Sequence, residues 1–260
     1  MMIPVAIATV TLLLATPAAA VTDGELDGER HPYVGLVVAQ DADGNPLWRC
    51  SGTLLSSRLF LTAGHCTESP AAHMEIWFDA DVESGIPENG YPLKGDVGGT
   101  PHTHPSYDPN AFFRYDLGVV VLSKPVRMSA YGALPALNQL DALKPSRHVT
   151  FTAVGYGLQR INPAKVEDER VRMLSRPHLL QINGGIVGDF SLLLSNNHSS
   201  GGTCFGDSGG PNFLGDSNVV AGVTSFGLNG TCGGTGGVYR VDRADDLNWL
   251  YGSFGNLLAS

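Results

Sequence analysis

Charged side chains are scarce in this chain of 260 residues, of which only 16% are Asp, Glu, Lys or Arg. Lys and Arg number 16 against 25 Asp and Glu, so the formal net charge at pH 7 is −9. Nucleic acids and anionic surfaces are bound chiefly through Lys and Arg clusters, so we expect neither as a partner. The excess of acidic groups is more typical of a solvated acidic surface.

Cysteine is also scarce. The chain has four, Cys50, Cys66, Cys204 and Cys232, and none of them forms a Cys-x-x-Cys pair. The sequence therefore gives no support to a structural zinc site, and we expect no metal there. An even number of cysteines in an exported chain predicts disulfides instead, and four cysteines allow three pairings.

Long hydrophobic runs are absent after the N-terminal region. Residues 1–20 carry no charged side chain, and Ala18-Ala19-Ala20 fits the small-x-small pattern of a signal-peptidase site. Two prolines bracket the apolar run and leave residues 5–16 between them, which suits a signal-peptide core and is short for a spanning helix. We predict a signal peptide over 1–20, cleavage before Val21 and a secreted protein free of the membrane; an uncleaved anchor is the alternative.

Glycine and proline are plentiful, with 33 and 16 residues, and they punctuate many short apolar runs. This pattern predicts an all-β barrel or sandwich, with about 240 mature residues forming one domain or two fused barrels. A closing helix is expected over 242–251. The strand candidates are residues 33–39, 47–50, 51–55, 73–78, 149–156, 181–190, 211–214, 219–226 and 237–241, with one more near 91–97 inside the loop-rich stretch 79–105.

A glycine-rich turn, Gly206-Asp207-Ser208-Gly209-Gly210-Pro211, can present a nucleophile. Its glycines allow a tight turn, so Ser208 can project its hydroxyl while the amides of Gly206 and Ser208 point into one small space. Two such N–H groups can hold the oxyanion of a tetrahedral intermediate. A serine hydroxyl alone is a poor nucleophile at neutral pH, so the hypothesis requires a base and a group that orients the base.

Two other segments provide these groups. Residues 60–66 read Phe-Leu-Thr-Ala-Gly-His-Cys, and residues 115–122 read Tyr-Asp-Leu-Gly-Val-Val-Val-Leu. His65 would take the proton of Ser208 and return it to the leaving group, while Asp116 would fix the imidazole tautomer and stabilise the imidazolium. Taken singly, each is an ordinary surface, cap or turn residue; their combination predicts a catalytic triad.

These three segments resemble the motifs of trypsin/chymotrypsin-type serine proteases, in the same order, and the resemblance extends from about Val21 to the C-terminal region. It implies a secreted serine endopeptidase that works through an acyl-enzyme, with polypeptide substrates, protein inhibitors as further partners, no cofactor and a monomeric state. It also implies two six-stranded antiparallel barrels, roughly residues 21–135 and 136–245, with a C-terminal helix and the site at their junction.

The resemblance also assigns pairs of residues. It implies the disulfides Cys50–Cys66 and Cys204–Cys232, each of which would order a loop of the site. It further implies that Asp207 pairs with the α-ammonium of a mature chain beginning at Val21, which leads us to the hypothesis that no separate propeptide is removed. An ordinary turn role for Asp207 is the alternative.

The same alignment of motifs implies a primary substrate pocket. No Asp or Glu stands at its base, so an Arg or Lys side chain would enter without a partner, and a trypsin-like preference is not expected. Small wall residues would instead admit an uncharged aromatic or aliphatic side chain, as in chymotrypsin-like enzymes, and Phe226 either walls the pocket or belongs to the core. The pocket residues are Gly202, Thr203, Ser225, Phe226, Gly227 and Gly237.

One acidic segment is unrelated to these motifs. Asp79, Asp81, Glu83 and Glu88 lie close together in the sequence. We expect a solvated loop here, and structural Ca²⁺ bound through its carboxylates is the alternative.

Two rival functions deserve comparison. A catalytically silent homologue would act as a binding protein, but such a protein would be expected to lack part of the triad. An exported α/β-fold esterase would carry the triad in the order Ser, Asp, His, whereas this chain has the order His, Asp, Ser.

Overall fold

Strands dominate the computed structural model, which describes residues 21–259 except 112, 163–164 and 186–187. The predicted signal peptide over 1–20 lies outside the described residues. The strands are β1 (Glu25–Leu26), β2 (Val34–Gln40), β3 (Pro46–Leu54), β4 (Leu59–Thr62), β5 (His73–Trp77), β6 (Val97–Thr103), β7 (Gly118–Leu122), β8 (Ser146–Gly155), β9 (Arg160–Asn162), β10 (Lys165–Glu167), β11 (Met173–Ser175), β12 (His178–Gln181), β13 (Ser191–Asn196), β14 (Pro211–Leu214), β15 (Val220–Gly227) and β16 (Gly234–Arg240). The α-helices are α1 (Gly64–Thr67) and α2 (Ala244–Leu258).

The first barrel is closed and antiparallel, in the strand order β2-β3-β4-β7-β6-β5. Its β2 strand reads VGLVVAQ and is buried along its whole length, because β3 and β5 pair with its two edges and apolar residues cover it. Aromatic residues such as Phe60 and Trp77 fill the interior and are fully buried. Burial of such side chains is the main favourable term in folding.

The second barrel is also closed, because β14 pairs with β15 at one edge and with β8 at the other. Its six strands run in the order β8-β12-β13-β16-β15-β14, all antiparallel. The expectation of two six-stranded antiparallel barrels is therefore confirmed.

Several strands differ from those expected. The strand expected over 181–190 is not formed by the described residues of that range, because β12 ends at Gln181, β13 begins at Ser191, and Gly184 and Gly185 between them adopt positive φ. The expected strand near 91–97 is in fact β6, residues 97–103, which pairs with both β5 and β7 although it contains Gly98, Gly99 and Pro101. The N-terminal strand β1 pairs with β11, next to the second barrel, whereas the sequence grouping placed it with the first.

The closing helix α2 has 15 residues and runs beyond the expected residue 251. It buries Leu247, Leu250 and Phe254, which follow helical spacing, against the barrels. No helix among the described residues has both the length and the apolar character to cross a membrane.

A buried arginine joins the two barrels. Arg172 is completely buried and donates hydrogen bonds to the carboxylate of Asp27, to the Val34 and Phe78 carbonyls of the first barrel and to the Tyr156 hydroxyl of the second. Burial alone would raise the pKa of Asp27, but its bonds to His31 and Arg172 hold that pKa below the usual value. The junction is thus polar, and every one of these charges has a partner.

Replacement of Arg172 by Met should destabilise the protein by about 3–5 kcal/mol, because it leaves the Asp27 carboxylate buried without its guanidinium partner. The urea midpoint measures this loss. Arg172→Met with Asp27→Asn should recover part of it, and the exposed control Arg127→Ala should stay within about 0.5 kcal/mol of the parent protein. An Arg172→Met midpoint equal to that of Arg127→Ala would contradict the proposed role.

Candidate active site

The turn that carries Ser208 lies between β13 and β14 and accepts two hydrogen bonds from Ser51 of the first barrel. Gly206 has φ +94° and Gly209 has φ +76°, which glycine adopts at little cost. Ser51, within β3, donates from its N–H to the Ser208 carbonyl (2.8 Å) and from its hydroxyl to the Gly206 carbonyl (2.9 Å). Ser51 therefore fixes both ends of the three-residue segment that presents the serine.

The amides of Gly206 and Ser208 remain available. Within the part of the chain that the structure describes, neither N–H donates a hydrogen bond. A donor in this state can be used by an incoming anion at no cost in existing bonds.

His65 and Asp116 form the pair that the sequence predicts. Asp116 is fully buried and accepts from the His65 backbone N–H (2.9 Å), while His65 Nδ1 lies 2.9 Å from Asp116 Oδ2 and 3.1 Å from Oδ1. Burial alone would lower the pKa of His65, but the charge and hydrogen bond of Asp116, helped by Glu68, raise it above its usual value. With Nδ1 engaged, the other ring nitrogen of His65 is the one left to act as a base.

Ser225 has a contact that the sequence did not predict. The pairing of β15 with β16 shifts in register between Thr224 and Phe226, which is a β-bulge at Ser225. Its buried hydroxyl donates to Asp116 Oδ2. We expected Ser225 as a pocket residue; it lies on the pocket and is also the third donor to the buried carboxylate.

Ser208 and His65 are brought together through backbone packing. The next residue, Gly209, packs so closely on the chain leading to His65 that a Cβ would stand 2.7 Å from the Ala63 nitrogen. Ser208 and Ser225 line one cavity, and Ser225 contacts Asp116. The described side chains form no Ser208–His65 hydrogen bond, a bond that is often long before substrate binds.

Asp207 is fully buried, and its carboxylate is held by backbone donors. Gly157 and Cys204 each donate an N–H to it at 2.8 Å. A Cβ at Gly157 would lie 2.5 Å from the Asp207 carboxyl carbon, so only glycine permits this approach. Burial raises the pKa of Asp207 to about 7, despite these bonds and the nearby Arg49 guanidinium.

The N-terminal segment reaches the base of the predicted pocket. The Val21 side chain is fully buried and packs on Met173, and Thr22 forms a β-bridge with Gly202. The Thr22 hydroxyl donates to Asn196 Oδ1 (2.8 Å), while Asn196 Nδ2 donates to the Thr203 carbonyl (2.8 Å).

The two members of the expected N-terminal pair are not joined. No ion pair or hydrogen bond links Val21 to Asp207 among the described residues, where Val21 is a mid-chain residue. Their pairing in a cleaved chain stays a prediction.

Both expected disulfides are present, Cys50–Cys66 and Cys204–Cys232. The first ties the middle of β3 to α1, which carries His65. The second ties the serine turn to the segment before β16. The resemblance therefore gave the correct pairing among the three that the cysteines allow.

A cavity of about 280 Å³ opens beside Ser208. Four of the six expected pocket residues line it, together with the Cys204–Cys232 disulfide and Phe205 at its mouth. The four are Thr203, Ser225, Phe226 and Gly227, and no carboxylate lines the cavity.

Gly202 and Gly237 are not among the residues that line this cavity. Asn196 covers Gly202, since a Cβ there would stand 2.1 Å from the Asn196 side-chain carbon. The Phe226 ring covers Gly237 in the same way, within 2.3 Å of a Cβ position, so this wall is closed rather than open. The bulge at Ser225 is the physical reason, because it places Phe226 opposite Gly237 across the sheet.

The described residues offer little to a metal ion. Cys50, His65 and Cys66 lie close together, but both sulfurs belong to a disulfide and cannot act as thiolate ligands. In the acidic segment, Glu83 pairs with Arg170 and Asp81 accepts from the Ser84 N–H. No three described carboxylates of the acidic segment come within 4.8 Å of one another, so the calcium alternative gains no support from the geometry.

Comparison with known proteins gives one consistent result. The family model described as Trypsin matches residues 27–247. Trypsin 5G1 of Aedes aegypti is 30% identical over 206 residues, which cover 76% of this chain and 73% of that protein. Serine protease Hayan of Drosophila melanogaster is 25% identical over 254 residues, 86% of this chain, but the match spans only 39% of Hayan. Among solved structures, HL collagenase has a TM-score of 0.70 at 20% identity, with 90% of this chain and 98% of that chain covered, which shows the fold alone.

Proposed function

The chain belongs to the trypsin family of serine proteases, and we propose that it is a secreted endopeptidase that hydrolyses peptide bonds with Ser208, His65 and Asp116. The observation that carries this proposal is the buried His65–Asp116 pair beside the turn of Ser208. An ordinary surface histidine needs no such buried carboxylate.

In the proposed reaction His65 acts as general base and then as general acid. It takes the proton of the Ser208 hydroxyl as Oγ bonds to the substrate carbonyl carbon, and it gives that proton to the amine as the C–N bond breaks. Water then enters and loses a proton to His65 as its oxygen bonds to the acyl carbon, and His65 gives that proton to Ser208 Oγ as the ester bond breaks. The charge and hydrogen bond of Asp116, which raise the pKa of His65, stabilise the imidazolium formed in each half.

The free amides of Gly206 and Ser208 would stabilise the negative oxygen of each tetrahedral intermediate. Removal of one such donor costs about 10²–10³ in kcat in enzymes of this chemistry. Ser51 supports this role, because its two bonds hold the carbonyls of Gly206 and Ser208 and so limit the movement of the backbone that carries the two amides.

Maturation would begin at Val21. In the described chain the Asp207 carboxylate is buried without a cationic partner in contact, which is costly. A free ammonium at Val21 would supply that partner, and the bridge of Thr22 to Gly202 already brings the segment to the pocket floor. Signal cleavage after Ala20 would then be sufficient, with no separate propeptide to remove.

Specificity would favour an uncharged side chain before the scissile bond. The cavity has no carboxylate to receive Arg or Lys. The Phe226 ring limits the depth on the Gly237 side, so aliphatic side chains should fit better than large aromatic ones. This narrows the aromatic-or-aliphatic expectation from the sequence.

Further proposals follow from the family. The two disulfides suit an oxidising, extracellular setting. Polypeptides would be the substrates, protein inhibitors the other partners, and the working form a monomer that needs no cofactor. A catalytically silent binding protein is the rival function, and nucleophile labelling separates the two.

A fluorophosphonate probe should label the secreted protein at Ser208, because only an activated serine attacks the phosphorus. Ser208→Ala should abolish labelling and lower kcat on a peptide substrate on the order of a million-fold. Ser253→Ala, an exposed serine on α2, is the matched control and should label like the parent. An unlabelled parent protein would favour the silent homologue.

Phe226→Ala should enlarge the primary pocket and raise kcat/KM for Phe relative to Leu before the scissile bond by about tenfold, the usual scale for extra apolar space. A panel of peptides varied at that residue measures the ratio. Phe205→Ala, the same truncation at the cavity mouth, should change both substrates alike. A strong preference of the parent protein for Arg or Lys would overturn the proposed specificity.

The pH dependence of stability should distinguish the free and peptide-bonded states of Val21. With residues 1–20 attached, Asp207 has a raised pKa, so the folded state binds a proton between about pH 4 and 7 that the unfolded state lacks, and stability falls as pH rises through this window. In protein that begins at Val21, the α-ammonium of Val21 should pair with the Asp207 carboxylate, and stability should no longer fall as pH rises through this window.

The measurement is the unfolding free energy of each form at both ends of this pH window, relative to its Asp207→Asn variant. A Ser208→Ala background prevents self-digestion. We expect a fall on the order of a few kcal/mol in the longer form only. The same fall in both forms would exclude the pairing, as would active secreted protein whose N-terminal sequence begins elsewhere than Val21.

A further inference from the structure

A second cavity, of about 550 Å³, lies on the second barrel and plays no part in the proposed catalysis. It is formed where the start of β8 and the connection into β12 meet the loop that follows β13. Its lining is wholly polar or charged. The lining residues are Arg147, Thr150, Arg176, His178, Asn197, Ser199 and Ser200.

Several donors in this lining have no acceptor. The Arg147 side chain makes no ion pair or hydrogen bond with any residue that the structure describes. The Asn197 Oδ1 atom accepts from both the N–H and the hydroxyl of Ser199, at 3.0 and 2.7 Å. These contacts define which end of the amide is the oxygen, so the Nδ2 group is left as a free donor.

The cavity lining contains no carboxylate. The nearest acid in contact is Asp216, outside the lining, which pairs with Arg176. The chain as a whole has a net charge of −9, but this cavity is locally positive, because two guanidiniums line it beside hydroxyl and amide donors. Arginine is well suited to such a site, because its planar fork of donors matches the oxygens of sulfate and phosphate groups.

We propose that this cavity binds the sulfate or phosphate group of a polar ligand, with Arg147 as the principal contact and Arg176, Thr150 and Asn197 as further donors. The volume is many times the roughly 30 Å³ share of one water molecule, so part of the ligand that carries the anion also enters. We therefore test ligands in which the anion is attached to a single sugar.

The site is separate from the proposed catalytic one, so it can be tested without activity. The test uses the full secreted protein carrying Ser208→Ala, produced in a host that does not add N-glycans, because Asn197-His198-Ser199 is an acceptor sequence within the lining. Backbone NMR shifts are followed during titration with glucose 6-sulfate, glucose 6-phosphate or glucose, at ionic strength held constant with chloride.

We expect saturable shifts at Arg176, His178 and Ser199–Ser200 with at least one of the two esters and none with glucose. The ester that binds more tightly identifies the anion. Arg147→Ala should weaken binding at least tenfold, and Arg147→Lys should restore part of it through charge without the fork geometry. The control Arg127→Ala removes an exposed arginine elsewhere and should leave the binding unchanged.

Three results would overturn the proposal. The first is the absence of saturable shifts with either ester. The second is an equal response to glucose. The third is equal weakening by Arg127→Ala and Arg147→Ala, which would indicate attraction to overall charge rather than a defined site. Native-like spectra of each variant exclude misfolding as the cause.

Discussion

The need to satisfy one buried carboxylate governs the arrangement of the serine turn. Asp207 has no access to water, so donors must be brought to it, and a charge buried without such partners would cost several kcal/mol. Backbone amides of Gly157 and Cys204 supply two hydrogen bonds to it, and each comes from a different part of the second barrel. Once Asp207 is held, its neighbours on both sides are held as well. The hydrogen bonds that hold Asp207 therefore also help to orient Gly206 and Ser208, which flank it.

The same principle operates at the junction of the barrels. Arg172 is as deeply buried as Asp207 and links the N-terminal segment, the first barrel and Tyr156 of the second through one guanidinium. Ser51 also links the barrels, since its hydroxyl accepts from the Tyr156 N–H. A polar junction of this kind has a defined geometry, because hydrogen bonds are directional where apolar contacts are not. A site divided between two barrels requires such definition.

Local signals explain what could be predicted from sequence. His65, Asp116 and Ser208 each stand in a contiguous motif, and the cysteines could be paired by resemblance, so these positions needed no knowledge of strand register. Ser225 and Phe226 were recognised as pocket residues, but their actual contacts depend on a one-residue bulge that leaves no mark in the sequence. Ser51 carries no motif at all. The strand β6 was misplaced because its glycines and proline are typical of loops, and only its pairing on both sides makes it a strand.

Asn196 connects the N-terminal segment to the cavity beside Ser208, so the free energies of events at these two places are linked. One end of its amide binds Thr22 of the N-terminal segment, and the other binds the Thr203 carbonyl in the wall of the primary cavity. If docking of the N-terminal segment orders the cavity and favours binding there, then binding in the cavity favours docking of the segment by the same free energy, because linkage between two sites is reciprocal. A substrate that tightens the cavity therefore tightens the hold on the N-terminal segment by the same free energy. In the proposed enzyme, protein with substrate bound would therefore release that segment less readily than empty protein.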